Sequence, residues 1–506
     1  MHQRRLHALD NKMRILTNSR IKRHLFILFV VWTGLFLLPL IYYITWIYPV
    51  YRVPKSASYE GLFECSYQPP LNLLFPSWTP AAQLPVAHVL LQQSNGTVEM
   101  VNGVKLMENF TWKLVPNTTH YVFSAFWDTR KDSFIRIISI IDKYRKAPSF
   151  CRVWHKTVGK DGKKNESNLR ISTSLRKLSV EIIPKGGRYV CSILHCDVSK
   201  LLQPIAVSVV RDRSVKETGP PMLKVVDRQP NWIKGKDRQI IGVCIQTPLF
   251  DYKNFLKLVE AFEMYKILGA KHVTLYNYTG DPVLNHVLQG YVAQGFLDVI
   301  PWPLPREIRV NTSDGDDKQG VHYYAELAAV QDCLYRNMHK FKYIVFMDTD
   351  EVIVPRKTRV WMKMIKSLPQ DVAGYYFKKA EFNLAKAKIR KNSTGHVDQR
   401  LLKYHPPYIL TRHRFRLIFE FNKKCCFKSI VRPDKIWTMS IHWAEKADGP
   451  MHETKAYTGL THHYRSHPMT KRLQTLDPYM TRYEGQLMSN IDNFMQSILN
   501  VTGQSH

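Results

Sequence analysis

The chain of 506 residues has no zinc-finger spacing, no basic-zipper heptads and no other recognised nucleic-acid motif. That absence matters because 73 Lys and Arg stand against only 41 Asp and Glu, a formal net charge of +32. Such an excess on its own suggests an anionic partner, whether nucleic acid, phosphate or acidic lipid. The basic residues are spread along the chain, so nucleic acid is not the expected partner, and a solvated basic surface suits a protein that handles nucleotide diphosphates. Cysteine is also scarce: eight residues, Cys65, Cys151, Cys191, Cys196, Cys244, Cys333, Cys425 and Cys426, with no CxxC pair to support a zinc site. An even count in an oxidising compartment favours disulfides. Cys191 and Cys196 are close enough for a local loop, whereas the adjacent Cys425 and Cys426 are expected to take different partners.

Charge is missing altogether from Leu25 to Tyr48, a run rich in Leu, Ile, Phe, Val and aromatics. As a helix it would be roughly 36 Å long, enough to span a bilayer with some tilt. Arg20, Lys22 and Arg23 precede it, so the positive-inside rule predicts a cytoplasmic tail at 1–24, a signal-anchor at 25–48 and a lumenal remainder. A cleaved signal peptide is the competing reading. The run is too long for a typical h-region, and Trp46-Ile47-Tyr48-Pro49 is a poor cleavage site. Asn-x-Ser/Thr sequons at Asn95, Asn109, Asn117, Asn165, Asn277, Asn311, Asn392 and Asn500 all follow the run, where oligosaccharide transfer would reach them.

Residues 49–85 are proline-rich and read as an extended stem. From 86 to 235 short β-type runs such as Tyr121 to Trp127 and Ile135 to Ile141 alternate with polar turns, which predicts an antiparallel, sandwich-like β domain. From 236 to 470 the rhythm becomes strand–helix–strand. Ile240 to Ile245 reads as a buried strand, Asp251 to Leu268 as a helix ended by Gly269, and His272 to Tyr276 as a strand. A helix follows Pro282, Leu297 to Ile300 is a strand, Tyr323 to Met338 is a helix, and a final strand runs into Asp348. This alternation predicts an α/β domain with a mostly parallel sheet and helices on both faces. Residues 471–506 read as a helical tail.

Asp348-Thr349-Asp350-Glu351 follows the apolar run Tyr343 to Met347. Acids inside an apolar segment are costly to bury unless a cation pairs with them. Ligands of α/β sheets bind beyond the carboxyl ends of strands, where these acids would lie. A bare DxD is a weak signal, and a solvated acidic turn is its bland reading. In this setting the acids suit Mn²⁺ or Mg²⁺ on a diphosphate, since such ions take oxygen ligands and Mn²⁺ also accepts imidazole. Thr461-His462-His463-Tyr464-Arg465 is the best source of further groups: His463 as metal ligand, and Arg465 or His462 toward the diphosphate. The EF-hand alternative lacks its Gly and distal Glu.

Six pieces in this order resemble glycosyltransferase family 92: Gly242-Val243-Cys244-Ile245, Asp332-Cys333-Leu334-Tyr335-Arg336, Phe346-Met347-Asp348-Thr349-Asp350-Glu351, Lys428-Ser429-Ile430-Val431-Arg432-Pro433, Ile441-His442-Trp443 and His463-Tyr464-Arg465. The resemblance implies a GT-A fold, an inverting mechanism, UDP-galactose as donor and Mn²⁺ at the aspartates with His463 as third ligand. It implies β-1,4 transfer to terminal galactose or fucose of N-glycans. With the anchor and sequons, it points to a Golgi type II membrane enzyme. Inversion needs a base for the acceptor hydroxyl. Glu381, just after the strand-like Val372 to Phe377, is the first choice, with Asp398 and Glu420 in reserve; an ordinary surface acid is the competing reading for each. Trp302, Trp437 and Trp443 suit either sugar stacking or packing. The rivals are a transferase using another UDP-sugar and a non-catalytic type II lectin. Oligomeric state stays open, a homodimer among the options.

Overall fold

The computed structural model describes residues 99–101, 104–106 and 110–502, apart from 159–168, 215–221, 228–238, 279–281, 312–318, 385–408, 419–425, 466–473 and a few single positions. The expected anchor at 25–48 and stem at 49–85 lie outside the described residues. Among the described residues no helix is long and apolar enough to cross a membrane, which corrects the single-pass type II placement in the Golgi.

Seven strands form the first body: β1 (Tyr121–Asp128), β2 (Phe134–Asp142), β3 (Phe150–Val158), β4 (Leu169–Ile182), β5 (Tyr189–Asp197), β6 (Pro204–Val210) and β7 (Leu223–Val226). Their neighbour order is β5-β2-β1-β7-β6-β3-β4, and β4 pairs back onto β5. The expected sandwich is therefore a closed barrel. Closure depends on the length of β4. Its first part, Leu169 to Lys177, pairs with β3, and its end, Leu178 to Ile182, pairs with β5. Closing the sheet removes the exposed edges that a sandwich keeps. Inward-facing Ala125, Ile137, Val153, Leu194 and Val207 fill the interior.

Cys151 on β3 is disulfide-bonded to Cys196 on β5. Cys191 and Cys196 lie an odd number of residues apart on one strand, so their side chains emerge on opposite faces and the expected local loop does not form. Cys191 is unpaired and buried, and burial pushes its thiol up to about 12.

The chain then alternates as the periodicity predicts: β8 (Gln239–Ile245), α1 (Phe255–Leu268), β9 (His272–Asn277), α2 (Pro282–Ala293) and β10 (Leu297–Pro301). Asn254, three residues beyond the expected cap, starts α1 by accepting from Lys257 N, and Gly269 at φ 104° ends it in the left-handed conformation. Two short strands, β11 (Val310–Asn311) and β12 (Val321–His322), return to the barrel, where β12 pairs with β5. A turn with positive φ at Tyr323, Tyr324 and Ala325 leads into α3 (Glu326–Asn337), and β13 (Phe341–Met347) follows.

The later strands are β14 (Glu351–Pro355), β15 (Gly374–Phe377), β16 (Lys379–Asn383), β17 (Phe415–Leu417), β18 (Lys428–Val431), β19 (Ile436–Met439), β20 (Ala444–Ala447), β21 (Met451–Thr454), β22 (Gly459–Arg465) and β23 (Gln474–Leu476). They correct the expected GT-A-type parallel sheet. The second body is a mixed sheet of order β10-β9-β8-β13-β18-β15-β21. β10, β9, β8 and β13 are joined by parallel pairings, as are β15 and β21, while β18 between the two groups is antiparallel to both β13 and β15. A further five-stranded sheet, β14-β22-β16-β17-β23, stands beside it. The chain is strand-rich throughout.

All of α3 is buried, including its polar residues. Asp332 on it accepts from Ser124 of β1 and from Tyr276 of β9 at 2.5 and 2.6 Å and pairs with Arg336 at 2.8 Å. Cys333 is disulfide-bonded to Cys244 of β8. The last helix, α4 (Glu484–Thr502), sets Leu487, Ile491, Phe494 and Ile498 into the core of α1 and α2. Phe494 stacks on Tyr291 at 3.9 Å. Burying each such side chain contributes roughly 1.5–3 kcal/mol.

Candidate active site

β13 ends at Met347 and β14 starts at Glu351, so Asp348, Thr349 and Asp350 are the corner where the chain passes from the mixed sheet to the five-stranded sheet. Glu351 N donates to Asp348 O at 3.2 Å and closes the turn. The Tyr265 hydroxyl, from α1, lies 3.1 Å from the carbonyl oxygens of both Asp348 and Glu351.

The cation that the acids require is present in the chain. Lys428, the first residue of β18, is completely buried, and its Nζ lies 2.7 Å from Asp348 Oδ2, 2.9 Å from Glu351 Oε2 and 2.6 Å from Gln246 Oε1. An ammonium has three protons, and three acceptors meet them. Burial works to discharge Lys428, but the charges of Asp348 and Glu351 outweigh it and hold the ammonium above the usual lysine range. Thr247 completes this cluster: its hydroxyl lies 3.0 Å from Asp348 Oδ1 and 3.4 Å from Glu326 Oε2.

Asp350 belongs to a second, more loosely paired cluster. Its side chain is 26% exposed, the same as that of Asp348, and its Oδ2 lies 3.4 Å from His463 Nε2 and 3.7 Å from Lys257 Nζ. Burial works to raise the Asp350 carboxyl, but Lys257, His463 and Lys428 outweigh it and hold it well below the usual carboxylate range. The Nδ1 of His463 is buried with no hydrogen-bond partner. Register across β14-β22-β16 sets Glu351, His463 and Glu381 in one row. Arg465 Nη1 lies 3.6 Å from Glu381 Oε1.

The structure thus brings together Asp348, Asp350, His463, Glu381 and Arg465, and places His462 elsewhere. Adjacent residues on a strand face opposite ways. His462 points into the core, with Nδ1 3.1 Å from the Tyr464 hydroxyl and Nε2 3.8 Å from Asp477 Oδ1. Burial pushes its imidazole down to about 3 despite Asp477. Asp398 and Glu420 lie outside the described residues. Trp302 is a packing residue: its Nε1 donates to Tyr324 O at 2.8 Å, and its rings meet Phe123 and Tyr276 edge-on. Trp437 carries the Arg130 guanidinium 4.2 Å above its ring. Sequence reasoning missed Lys428, Gln246, Thr247 and Lys257. The signals for Lys428 were its place at the head of a family-like piece and its charge before the apolar run Ser429-Ile430-Val431, neither of which assigns it a partner.

Among the described residues no group of three His, Cys, Asp or Glu side chains is arranged to hold a metal ion. Asp348 faces Lys428, which leaves Asp350 and His463. One carboxylate and one imidazole nitrogen fit a Mg²⁺- or Mn²⁺-type site whose remaining ligands come from substrate phosphates and water.

A corner of acids and lysines at the carboxyl end of a parallel strand run is a fitting place for a diphosphate ligand. The chain belongs to glycosyltransferase family 92, whose sequence pattern matches residues 239–498, from β8 into α4. It is similar to the Caenorhabditis elegans glycosyltransferase family 92 protein F13G3.3, 24% identical over 246 residues, 48% of this chain and 44% of that one. It is also similar to Caenorhabditis elegans beta-1,4-galactosyltransferase galt-1, 23% identical over 231 residues, 44% of this chain and 48% of that one. Each match spans less than half the length of the relative concerned.

Proposed function

We propose that this chain transfers galactose from UDP-galactose to a terminal galactose or fucose of N-glycans, in β-1,4 linkage and with inversion. The observation that carries this reading is the loosely paired cluster of Asp350, His463 and Lys257, set within the family-matched segment and beside an acid pair already held by Lys428. The similarity to galt-1, a beta-1,4-galactosyltransferase, supports the choice of donor and linkage.

In this reading Lys257 and Arg465 face the diphosphate, and Asp350 and His463 would hold Mn²⁺ or Mg²⁺ against it. Such an ion, when bound, neutralises the charge that develops on the leaving diphosphate. Asp348 contributes by position: tied to Lys428 and Thr247, it fixes the corner from which Asp350 projects. A site rigid in advance loses less on binding its ligand.

Incubation of the chain with UDP-galactose, UDP-glucose and UDP-N-acetylglucosamine, each with an N-glycan panel, tests the reading. UDP release and β-1,4-galactosylated product are expected with UDP-galactose alone. Product from UDP-glucose or UDP-N-acetylglucosamine instead would overturn the donor assignment. Glycan binding without UDP release from any donor would favour a lectin.

A further inference from the structure

Transfer with inversion needs a group to take the acceptor's proton, and the carboxylate expected in that role, Glu381, is ion-paired with Arg465. A different group stands ready on the loop between β19 and β20. His442 is buried, 6% exposed, and its Nδ1 lies 3.2 Å from Phe427 O. A carbonyl only accepts, so Nδ1 carries the proton and Nε2 presents a bare lone pair. That Nε2 is buried and has no hydrogen-bond partner. A buried acceptor left unmade is costly, and such atoms call for a ligand or a function.

The loop is fixed on both sides of His442. Gln331 accepts from Met439 N at 3.0 Å and donates to Met439 O at 2.5 Å. Gln246 donates to Ile441 O at 2.6 Å. Ser440 N donates to Trp443 O at 2.7 Å, and Ala444 N donates to the Tyr376 hydroxyl at 2.9 Å. Two of these links lead to the acid corner. Gln246 is the residue that accepts from Lys428, and Phe427, which holds the imidazole, precedes Lys428 in the chain. His442 is thus a pre-oriented base tied to the frame that holds Asp348.

We propose that His442 takes the proton from the acceptor hydroxyl, an inference that rests on the transferase reading. As the acceptor oxygen bonds to C1 of the sugar, the bond from C1 to the diphosphate oxygen breaks and its electron pair leaves on UDP. The hydroxyl proton passes to Nε2, giving an imidazolium that later returns it to water. No other reactant is needed.

The test uses the full chain with UDP-galactose and a galactose-terminated N-glycan. His442→Asn keeps an N–H where Nδ1 stood and removes Nε2; His442→Gln keeps a polar atom near the Nε2 position without its basicity. For both, kcat for transfer is expected to fall on the order of 10²–10⁴-fold. The UDP-galactose dissociation constant should stay within about twofold, because His442 acts on the acceptor. Glu381→Gln should cost less than either. Transfer retained in both His442 variants, donor binding lost together with transfer, or a larger loss in Glu381→Gln would each overturn the assignment. An unaltered chain that neither binds nor uses any of the three sugar nucleotides would overturn the transferase reading, and this inference with it.

Discussion

Asp348 and Asp350 stand one residue apart and sit in different chemical settings. Asp348 meets a fully buried lysine at 2.7 Å, whose other two protons go to Glu351 and Gln246. Asp350, whose side chain is exposed to the same extent, meets two looser partners, His463 at 3.4 Å and Lys257 at 3.7 Å. The first cluster is closed around one lysine, with two carboxylates sharing a single ammonium. The second has room for another charged body. A DxD pattern reads as two equivalent ligands, yet a turn between two sheets splits it into one residue locked on a buried lysine and one paired loosely with His463 and Lys257.

Four experiments sharpen or break that division. The largest effect is expected from Lys428→Met, which strands two carboxylates without their cation. Removing one partner of a buried ion pair typically costs about 3–5 kcal/mol, read as a lowered denaturation midpoint. A variant as stable as the parent would mean that the closed cluster is not structural. Next, Asp350→Ala should lower transfer on the order of 10²–10³-fold, the scale of losing one electrostatic contact to the reacting centre. Its melting temperature should stay close to that of the parent. A melting temperature that collapses instead would place Asp350 in the closed class.

The adjacent histidines repeat the contrast. His462 is held neutral to about pH 3 in the folded chain, whereas unfolding frees it to protonate near 6.5. The unfolded state therefore binds more protons below pH 6.5, and stability is lost as pH falls from there toward 3. The loss should reach about 2 kcal/mol at pH 5. In His462→Phe this part of the acid limb should flatten; an unchanged slope would remove His462 as its source. The smallest effect is for His463→Ala, which should raise the Mn²⁺ concentration for half-maximal transfer about tenfold, the weakening expected when one metal contact is perturbed. An unmoved metal titration would take His463 out of the site.

The local part of this fold is legible in the sequence because it is written in periodicity. The alternation from β8 to β10, the glycine stop of α1 and the strand ending at Asp348 all follow from where apolar residues and Gly269 stand. What the sequence hides is pairing at long range. Nothing near Lys428 says that β18 enters the sheet against β13, some 80 residues earlier in the chain, and reverses its direction. Barrel closure turns on the last five residues of β4 choosing β5, a decision that no local pattern encodes. The site shows the same limit. Asp350 and His463 were readable as polar groups on strand-type segments, but nothing in the family-like piece that begins at Lys428 gives that lysine a partner. The period of two did carry an unread signal: His462 and His463 cannot face the same way, nor can Cys191 and Cys196.

Helix α3, buried along its whole length, has a consequence for how the molecule comes apart. Ser124 of the barrel and Tyr276 of the sheet both bond to its Asp332, and its Gln331 and Tyr335 grip β19 through Met439 and Trp437. Neither body can cover this helix without the other. Loss of the barrel would expose Asp332, Arg336 and the apolar residues around them to water in one event, so a partly folded species that keeps only the sheet has little to stabilise it. Heating should therefore melt barrel and sheet together, as one cooperative unit in calorimetry, despite a chain length that would ordinarily permit two.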